Sequence, residues 1–322
     1  MPKILIIRFS SIGDIVLTTP VIRNLRKQIG DIELHYCTQK SFRSIIEHNP
    51  YLHKVHYLDN NMGNLIEALK KEEYDYVIDL HNNLRTAQIK LKLRTKAFSF
   101  NKLNIQKWLY VNFKINKMPD LHIVDRYMET VEPLNVYNDY LGLDYFIPSA
   151  DEVKKESLPE SHQNGFVAFA IGAQHYTKRL PEEKIIEFCE KINKPLVLLG
   201  GKEDKAVGDK IEKHFKTNKS NIIYNACGKY NLNQSASLVK QASLVFSHDT
   251  GLMHIAAAFK KEIYSIWGNT TPSLGMYPYL TKFHIIENND LSCRPCSKIG
   301  YSRCPKKHFK CMRDLKPAFE IH

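Results

Sequence analysis

Leu244-Val245-Phe246-Ser247-His248-Asp249-Thr250-Gly251-Leu252-Met253-His254-Ile255-Ala256-Ala257-Ala258 is an apolar run that ends in polar residues and resumes with small and apolar residues at helical spacing. The pattern predicts a buried strand, a tight turn and a helix whose first turn is Thr250-Gly251-Leu252, with Asp249 as its N-cap. At such a turn several backbone N–H groups lack partners and the helix dipole is positive, so the position favours an anionic group, typically a phosphate. Gly251 would let a ligand approach the backbone closely. An ordinary capped helix in an α/β domain carries the same signature, so this stretch defines a local geometry before it defines a function.

The 322 residues suffice for two domains of ordinary size, each with its own core. Hydrophobic residues at 43% and charged residues at 25% are those of a soluble globular protein. No apolar run reaches the length of a membrane span, and Met1-Pro2-Lys3-Ile4-Leu5-Ile6-Ile7-Arg8 reads as a first strand rather than a secretory signal, which implies a cytoplasmic protein. The formal charge of +12, from 46 Lys and Arg against 34 Asp and Glu, favours an anionic partner: nucleic acid, an acidic membrane surface or a phosphorylated substrate.

Outward from the opening stretch, the same unit recurs. Lys3 to Phe9 is an apolar strand running into Ser10-Ser11-Ile12-Gly13-Asp14, and a helix is expected from Thr19-Pro20, with Val21, Ile22, Leu25 and Ile29 on one face. The loop has a single Gly and no Gly-Lys-Ser ending, which excludes a dinucleotide fingerprint and a Walker loop. It offers the carboxylate of Asp14 beyond a strand's C-terminal end, the edge that faces the ligand crevice in open parallel sheets. Strands at 33–37, 54–58 and 74–80 alternate with helices near 42–47 and 65–71, which implies a parallel sheet covered on both faces. His81 and Arg85 follow the last of these strands on the same side.

From Arg85 to Lys117 there are nine Lys or Arg and no Asp or Glu, interleaved with Phe98, Phe100, Trp108, Tyr110 and Phe113. Such a surface suits anionic lipid headgroups or a phosphorylated acceptor, and equally nucleic acid; the bland reading is a solvated face whose aromatics belong to the core. Met118 to Leu134 reads as a helix, and the polar stretch from Pro148 to Gly165 as an interdomain linker. The second half then restarts: strand 166–171, loop Gly172 to Pro181 with Lys178 and Arg179, helix, strand 195–199, turn Gly200-Gly201-Lys202-Glu203-Asp204, helix 232–242, the opening stretch, strand 263–267 and the turn Gly268-Asn269-Thr270-Thr271-Pro272.

With Arg8, Ile12-Gly13-Asp14 and Thr19-Pro20 at the front, Lys178-Arg179-x-Pro181 in the middle, and Asp249-Thr250-Gly251-Leu252-x-His254-x-Ala256-Ala257 followed by Gly268-x-Thr270-x-Pro272, the chain resembles the bacterial heptosyltransferases of glycosyltransferase family 9. The resemblance spans nearly the whole length. It implies an α/β protein of GT-B architecture, two Rossmann-like domains whose parallel sheets face across a cleft. Residues 1–155 would bind the acceptor and residues 156–322 the nucleotide sugar. It implies inverting sugar transfer that requires no cofactor or catalytic metal, from ADP-heptose to a lipopolysaccharide core or related lipid-linked, anionic glycan, at the cytoplasmic face of the inner membrane. Carried over by position, Asp14 looks like the general base, with Ser10, Ser11, Gly13, His81 and Arg85 on the acceptor side of the cleft. Lys178 looks like the cation on the donor's phosphates, and Asp249, Thr250, Gly251 and Leu252 like the loop that holds the diphosphate. His254 lies one turn on, and Glu203 is a looser match to a ribose-contacting carboxylate. Two departures bear on the sugar: Ala173-Gln174 stands where the ADP-heptose enzymes carry two threonines, and Asn269 where Pro is commoner.

Four of the seven cysteines, Cys293, Cys296, Cys304 and Cys311, crowd the tail, which in a cytoplasmic chain argues against a disulfide framework. Three readings compete there: a structural zinc site, a reduced packing cluster and a redox pair. The adjoining Arg294, Lys298, Arg303, Lys306, Lys307, Lys310 and Arg313 extend the basic surface. The spacing of His248, Asp249 and His254 matches no standard helical ligand pair, so no metal is expected there. Against the transferase stands a nucleic-acid-binding protein using residues 85–117; it predicts salt-dependent oligonucleotide binding with no requirement for Asp14. A nucleotide-binding module that has lost catalysis is disfavoured by the joint presence of Asp14 and Lys178.

Overall fold

The computed structural model describes residues 1–218 and 222–321. Two compact units form, Met1–Lys102 with Leu121–Phe146, and Leu103–Asp120 with Ile147–His322. The division differs from a break at 155/156 in two places. The polar stretch after Pro148, read as a linker, packs with the second unit because Asn231 and Asn233 donate to the Asp151 carboxylate and Ser237 accepts from the Val153 N–H. Residues 103–120 also group with the second unit, where the Lys114 ammonium donates to the carbonyl of Pro295 at 2.6 Å.

In the first unit the strands are β1 (Lys3–Ile7), β2 (Glu33–Gln39), β3 (Lys54–Leu58), β4 (Tyr76–Asp79) and β5 (Lys96–Ser99), all parallel, in the order β3-β2-β1-β4-β5. The central strands β1, β2 and β4 are buried along nearly their whole length, as expected where helices cover both faces. Leu5, Ile7, Cys37, Leu65, Leu69, Val77 and Ile89 form one side of the core. The expected helix over 118–134 is shorter, Ile123–Met128 followed by a 3-10 turn at Glu132–Leu134.

The second unit carries β6 (Val167–Ala170), β7 (Leu196–Leu199), β8 (Ile223–Asn225), β9 (Val245–His248), β10 (Ile263–Trp267) and β11 (Phe283–Glu287), again parallel, in the order β11-β10-β9-β6-β7-β8. Its core joins Phe169, Phe188, Leu198, Phe246 and Ile266 with the chain's end, where Phe309, Cys311, Met312 and Phe319 are buried against the sheet. Strand order reverses between β1 and β4 in one sheet and between β6 and β9 in the other. In open parallel sheets, ligands bind beyond the strand ends at such a reversal. The loops after β1 and β4, and after β6 and β9, are therefore where chemistry is to be sought.

Candidate functional site

In the first unit the loop after β1 enters a five-residue helix, Ile12–Val16, that sequence reasoning passed over in favour of the longer helix Thr19–Gln28. Ser11 is its N-cap and Asp14 its third residue, so the two make a capping box: Asp14 Oδ2 accepts from the Ser11 N–H at 3.1 Å and from its hydroxyl at 2.8 Å. The other oxygen pairs with the Arg8 guanidinium at 2.7 Å. Arg8 is itself fixed, donating to the carbonyls of Ser10 and Leu80 at 2.6 Å each and to the Tyr127 hydroxyl at 3.0 Å. The arginine side chain is 10% exposed and the aspartate 19%, so a locked, buried cation presents a carboxylate outward. Burial alone would raise the Asp14 pKa; the Arg8 charge and the two Ser11 hydrogen bonds outweigh it and hold the carboxyl below its ordinary value. The same pairing raises the Arg8 pKa despite its burial.

After β4, buried Asp79 accepts from the His81 and Asn82 N–H groups and pairs with Lys90 at 2.8 Å, which shapes the turn. His81 packs edge-on to Phe9, whose ring also lies 5.5 Å from the Arg85 guanidinium. Burial first, then the charges of Arg8 and Lys102, lower the His81 pKa to about 4, against the opposing pull of Asp14 and Asp79. Ser10, Ser11, Asp14, His81 and Arg85 thus border one region around Arg8 and Phe9, with Gly13 buried beneath. Asp79, the first residue of the polar segment at the strand's end, belongs to it as well, and so does Tyr127, which no local sequence signal marked.

In the second unit, Lys178 closes a 3-10 turn after β6 and its ammonium lies 2.6 Å from the Asp249 carboxylate and 3.2 Å from the Asp249 carbonyl. Thr270, from the turn after β10, donates to the same carboxylate at 2.9 Å. Asp249 is therefore not the N-cap. That position is Thr250, in extended backbone, and the helix runs Gly251–Ala258, while Asp249 Oδ2 is turned to the lysine and the threonine. His248, fully buried, accepts from the Leu180 N–H at 3.1 Å and so ties the lysine's loop to β9; burial lowers its pKa to about 4. Leu252 is half-buried and His254 buried on the helix. Glu203 is exposed in the turn after β7, and the buried carboxylate of that turn is Asp204, which accepts from the Gly201 N–H and pairs with Arg179 at 3.1 Å. A Cβ on Gly172 or Gly200 would collide with Asp204, which explains the glycines there.

The tail buttresses this loop: Tyr301 and Thr177 exchange backbone and side-chain hydrogen bonds. Arg294 is not part of an exposed basic surface but a buried strut, bonded to the carbonyls of Gly268, Thr270 and Asn288 and paired with Glu287 at 2.7 Å. The other six basic residues of the tail are exposed. Its cysteines are free thiols, Cys311 buried in the core and Cys293 3.8 Å from the His308 ring. Among the described residues, the group of three whose ligand atoms converge within 4.8 Å is His35, His56 and Glu72, away from the cysteines.

A family model described as glycosyltransferase family 9 (heptosyltransferase) matches residues 62–307. The chain belongs to glycosyltransferase family 9. This family 9 enzyme is 27% identical over 294 residues to lipopolysaccharide heptosyltransferase 1 of Campylobacter coli, covering 84% of its own length and 85% of that protein. It is 25% identical over 294 residues to lipooligosaccharide heptosyltransferase 2 of Haemophilus ducreyi, covering 84% of each. Its fold matches that of the Escherichia coli ADP-heptose lipopolysaccharide heptosyltransferase II with a TM-score of 0.71 at 19% identity, over 98% of this chain and 95% of the other. It is a glycosyltransferase with two parallel-sheet α/β units of the GT-B kind. Lys178, Glu203, Asp249 and the helix after it fall inside the family match; Asp14 precedes it.

Proposed function

We propose that this family 9 enzyme transfers heptose from ADP-heptose, with inversion and no metal, to a lipopolysaccharide inner core or related lipid-linked glycan, the first unit taking the acceptor and the second the nucleotide sugar. The reading is supported most by the paired arrangement at the two strand-order reversals: a carboxylate presented by a fixed arginine in one unit, and in the other a lysine beside the start of a helix. Asp14, kept ionised, takes the proton of the acceptor hydroxyl as its oxygen bonds to the sugar's C1. The bond from C1 to the diphosphate breaks, and ADP leaves with the electron pair. Base catalysis of this kind is worth about two to four orders of magnitude. Lys178 exchanges Asp249 for the departing phosphate, and the N–H groups at Gly251 meet the same charge, so the donor half stabilises the leaving group where charge builds up.

Membrane contact fits helix Asn104–Phe113, which buries no residue and leaves Ile105, Trp108 and Phe113 exposed beside Lys114 and Lys117. Among the described residues no helix is long and apolar enough to cross a membrane. Calorimetric titration with ADP-heptose, beside UDP- and GDP-sugars, tests the donor. ADP-selective binding is expected. Preference for another nucleotide would keep the family chemistry and overturn the donor, while tight, salt-dependent oligonucleotide binding without any nucleotide-sugar binding would overturn the transferase reading.

A further inference from the structure

Toward the N-terminal ends of the first sheet's strands, away from Asp14 and His81, three elements converge on a second centre. His35 of β2 lies opposite Lys54 of β3, and Cys37 opposite His56, so both imidazoles leave the same face of neighbouring strands, two residues out of step. Nδ1 of His35 is 3.2 Å from Nε2 of His56, and the Tyr74 hydroxyl is 2.9 Å and 3.0 Å from those two nitrogens. The Glu72 carboxylate, from the turn before β4, approaches them at 3.9 Å and 3.7 Å. Two nitrogen ligands on a tetrahedral zinc ion, each about 2.0–2.1 Å from it, sit about 3.3–3.4 Å apart, close to the spacing found.

The surroundings match a metal centre's outer shell. Nε2 of His35 is 2.8 Å from the Glu33 carboxylate, which accepts its proton and leaves the Nδ1 lone pair facing His56 and Glu72. A carboxylate behind the imidazole is how metal-bound histidines are oriented. A surface hollow of about 520 Å³, lined by Lys54, His56, Asn64 and Glu72 among others, gives an ion a way in. Glu72 is held meanwhile by Lys3 at 3.3 Å and Lys54 at 2.5 Å; the Lys54 side chain is 54% exposed and free to swing into solvent when a cation arrives.

We infer that His35, His56 and Glu72, with the Tyr74 oxygen beside them, form a structural site for a divalent ion of the zinc class that pins β2, β3 and the turn before β4. It takes no part in sugar transfer and stands independently of the donor and acceptor assigned above. The two imidazoles and the tyrosine also close a hydrogen-bonded set without an ion, and the experiment separates the two. Chelator-stripped full-length protein is titrated with Co²⁺ while its visible ligand-field band is followed, then back-titrated with Zn²⁺. One Co²⁺ per chain is expected, displaced by Zn²⁺, with no thiolate charge-transfer band. His56→Gln and Glu72→Gln should each weaken binding by about tenfold or more. Lys54→Ala, which removes the competing cation, should tighten it, and at a fixed concentration Zn²⁺ should raise the melting temperature of the wild type and of Lys54→Ala more than that of the His56 and Glu72 variants. Absence of the band, a thiolate band that places the ion on the tail cysteines, or wild-type affinity in both the His56 and Glu72 variants would overturn the site.

Discussion

The two strand-order reversals hold the same motif, an acid–base ion pair, in opposite senses. In the first unit the cation is the fixed member: Arg8 makes four contacts, and the carboxylate it grips is the more exposed of the two, 19% against 10%. In the second the carboxylate is the fixed member: Asp249 is held by Thr270 as well as Lys178, and the lysine is the more exposed, 15% against 10%. One pair therefore offers a negative charge and the other a positive charge that can change partner. A proton acceptor and a phosphate binder need those opposite polarities.

The largest effect that would break this comparison is on turnover. Asp14→Asn keeps an oxygen for the Ser11 cap yet loses the base, so sugar transfer should fall by about 10²–10⁴-fold in a coupled assay of ADP release, with the far-UV circular dichroism unchanged. Next comes donor affinity: Lys178→Ala removes a charged hydrogen-bond donor worth about 1.5–3 kcal/mol, so the Kd for ADP should rise by about ten- to a hundredfold. The pH profile sharpens the contrast. Because Arg8 and Ser11 hold the Asp14 pKa below its ordinary value, the carboxylate is ionised across neutral pH, and the stability this pairing contributes is present above the unfolded carboxylate pKa and lost as pH falls through the folded value. In Arg8→Gln burial is left dominant, and the acid limb of kcat/KM should move to higher pH. The smallest effect is expected of Thr270→Val, which removes one hydrogen bond from Asp249 and should weaken ADP binding by about two- to tenfold.

Much of this was legible in the residues. Each central strand is an apolar run ending at a polar loop, so β1, β4, β6 and β9 and the loops after them could be placed, and with them Asp14, His81, Lys178 and Asp249. β5, β8 and β11 escaped because Lys96–Ser99, Ile223–Asn225 and Phe283–Glu287 are short or half-exposed and lack a continuous apolar signature. Asp249 looked like a cap because an acid ahead of a helix reads alike whether it bonds the helix or a lysine from a distant turn. Arg294 looked like surface for the same reason: its partners, among them the carbonyls of Gly268 and Thr270, lie on other segments. The convergence of His35, His56 and Glu72 depends on strand register, which no local pattern encodes.

The division of labour between the two pairs is tested most directly by titrating ADP into the Asp14→Asn and Lys178→Ala proteins side by side in a calorimeter. Wild-type affinity is expected in the first and a loss of about tenfold or more in the second. Weakened ADP binding in Asp14→Asn with unchanged binding in Lys178→Ala would contradict it.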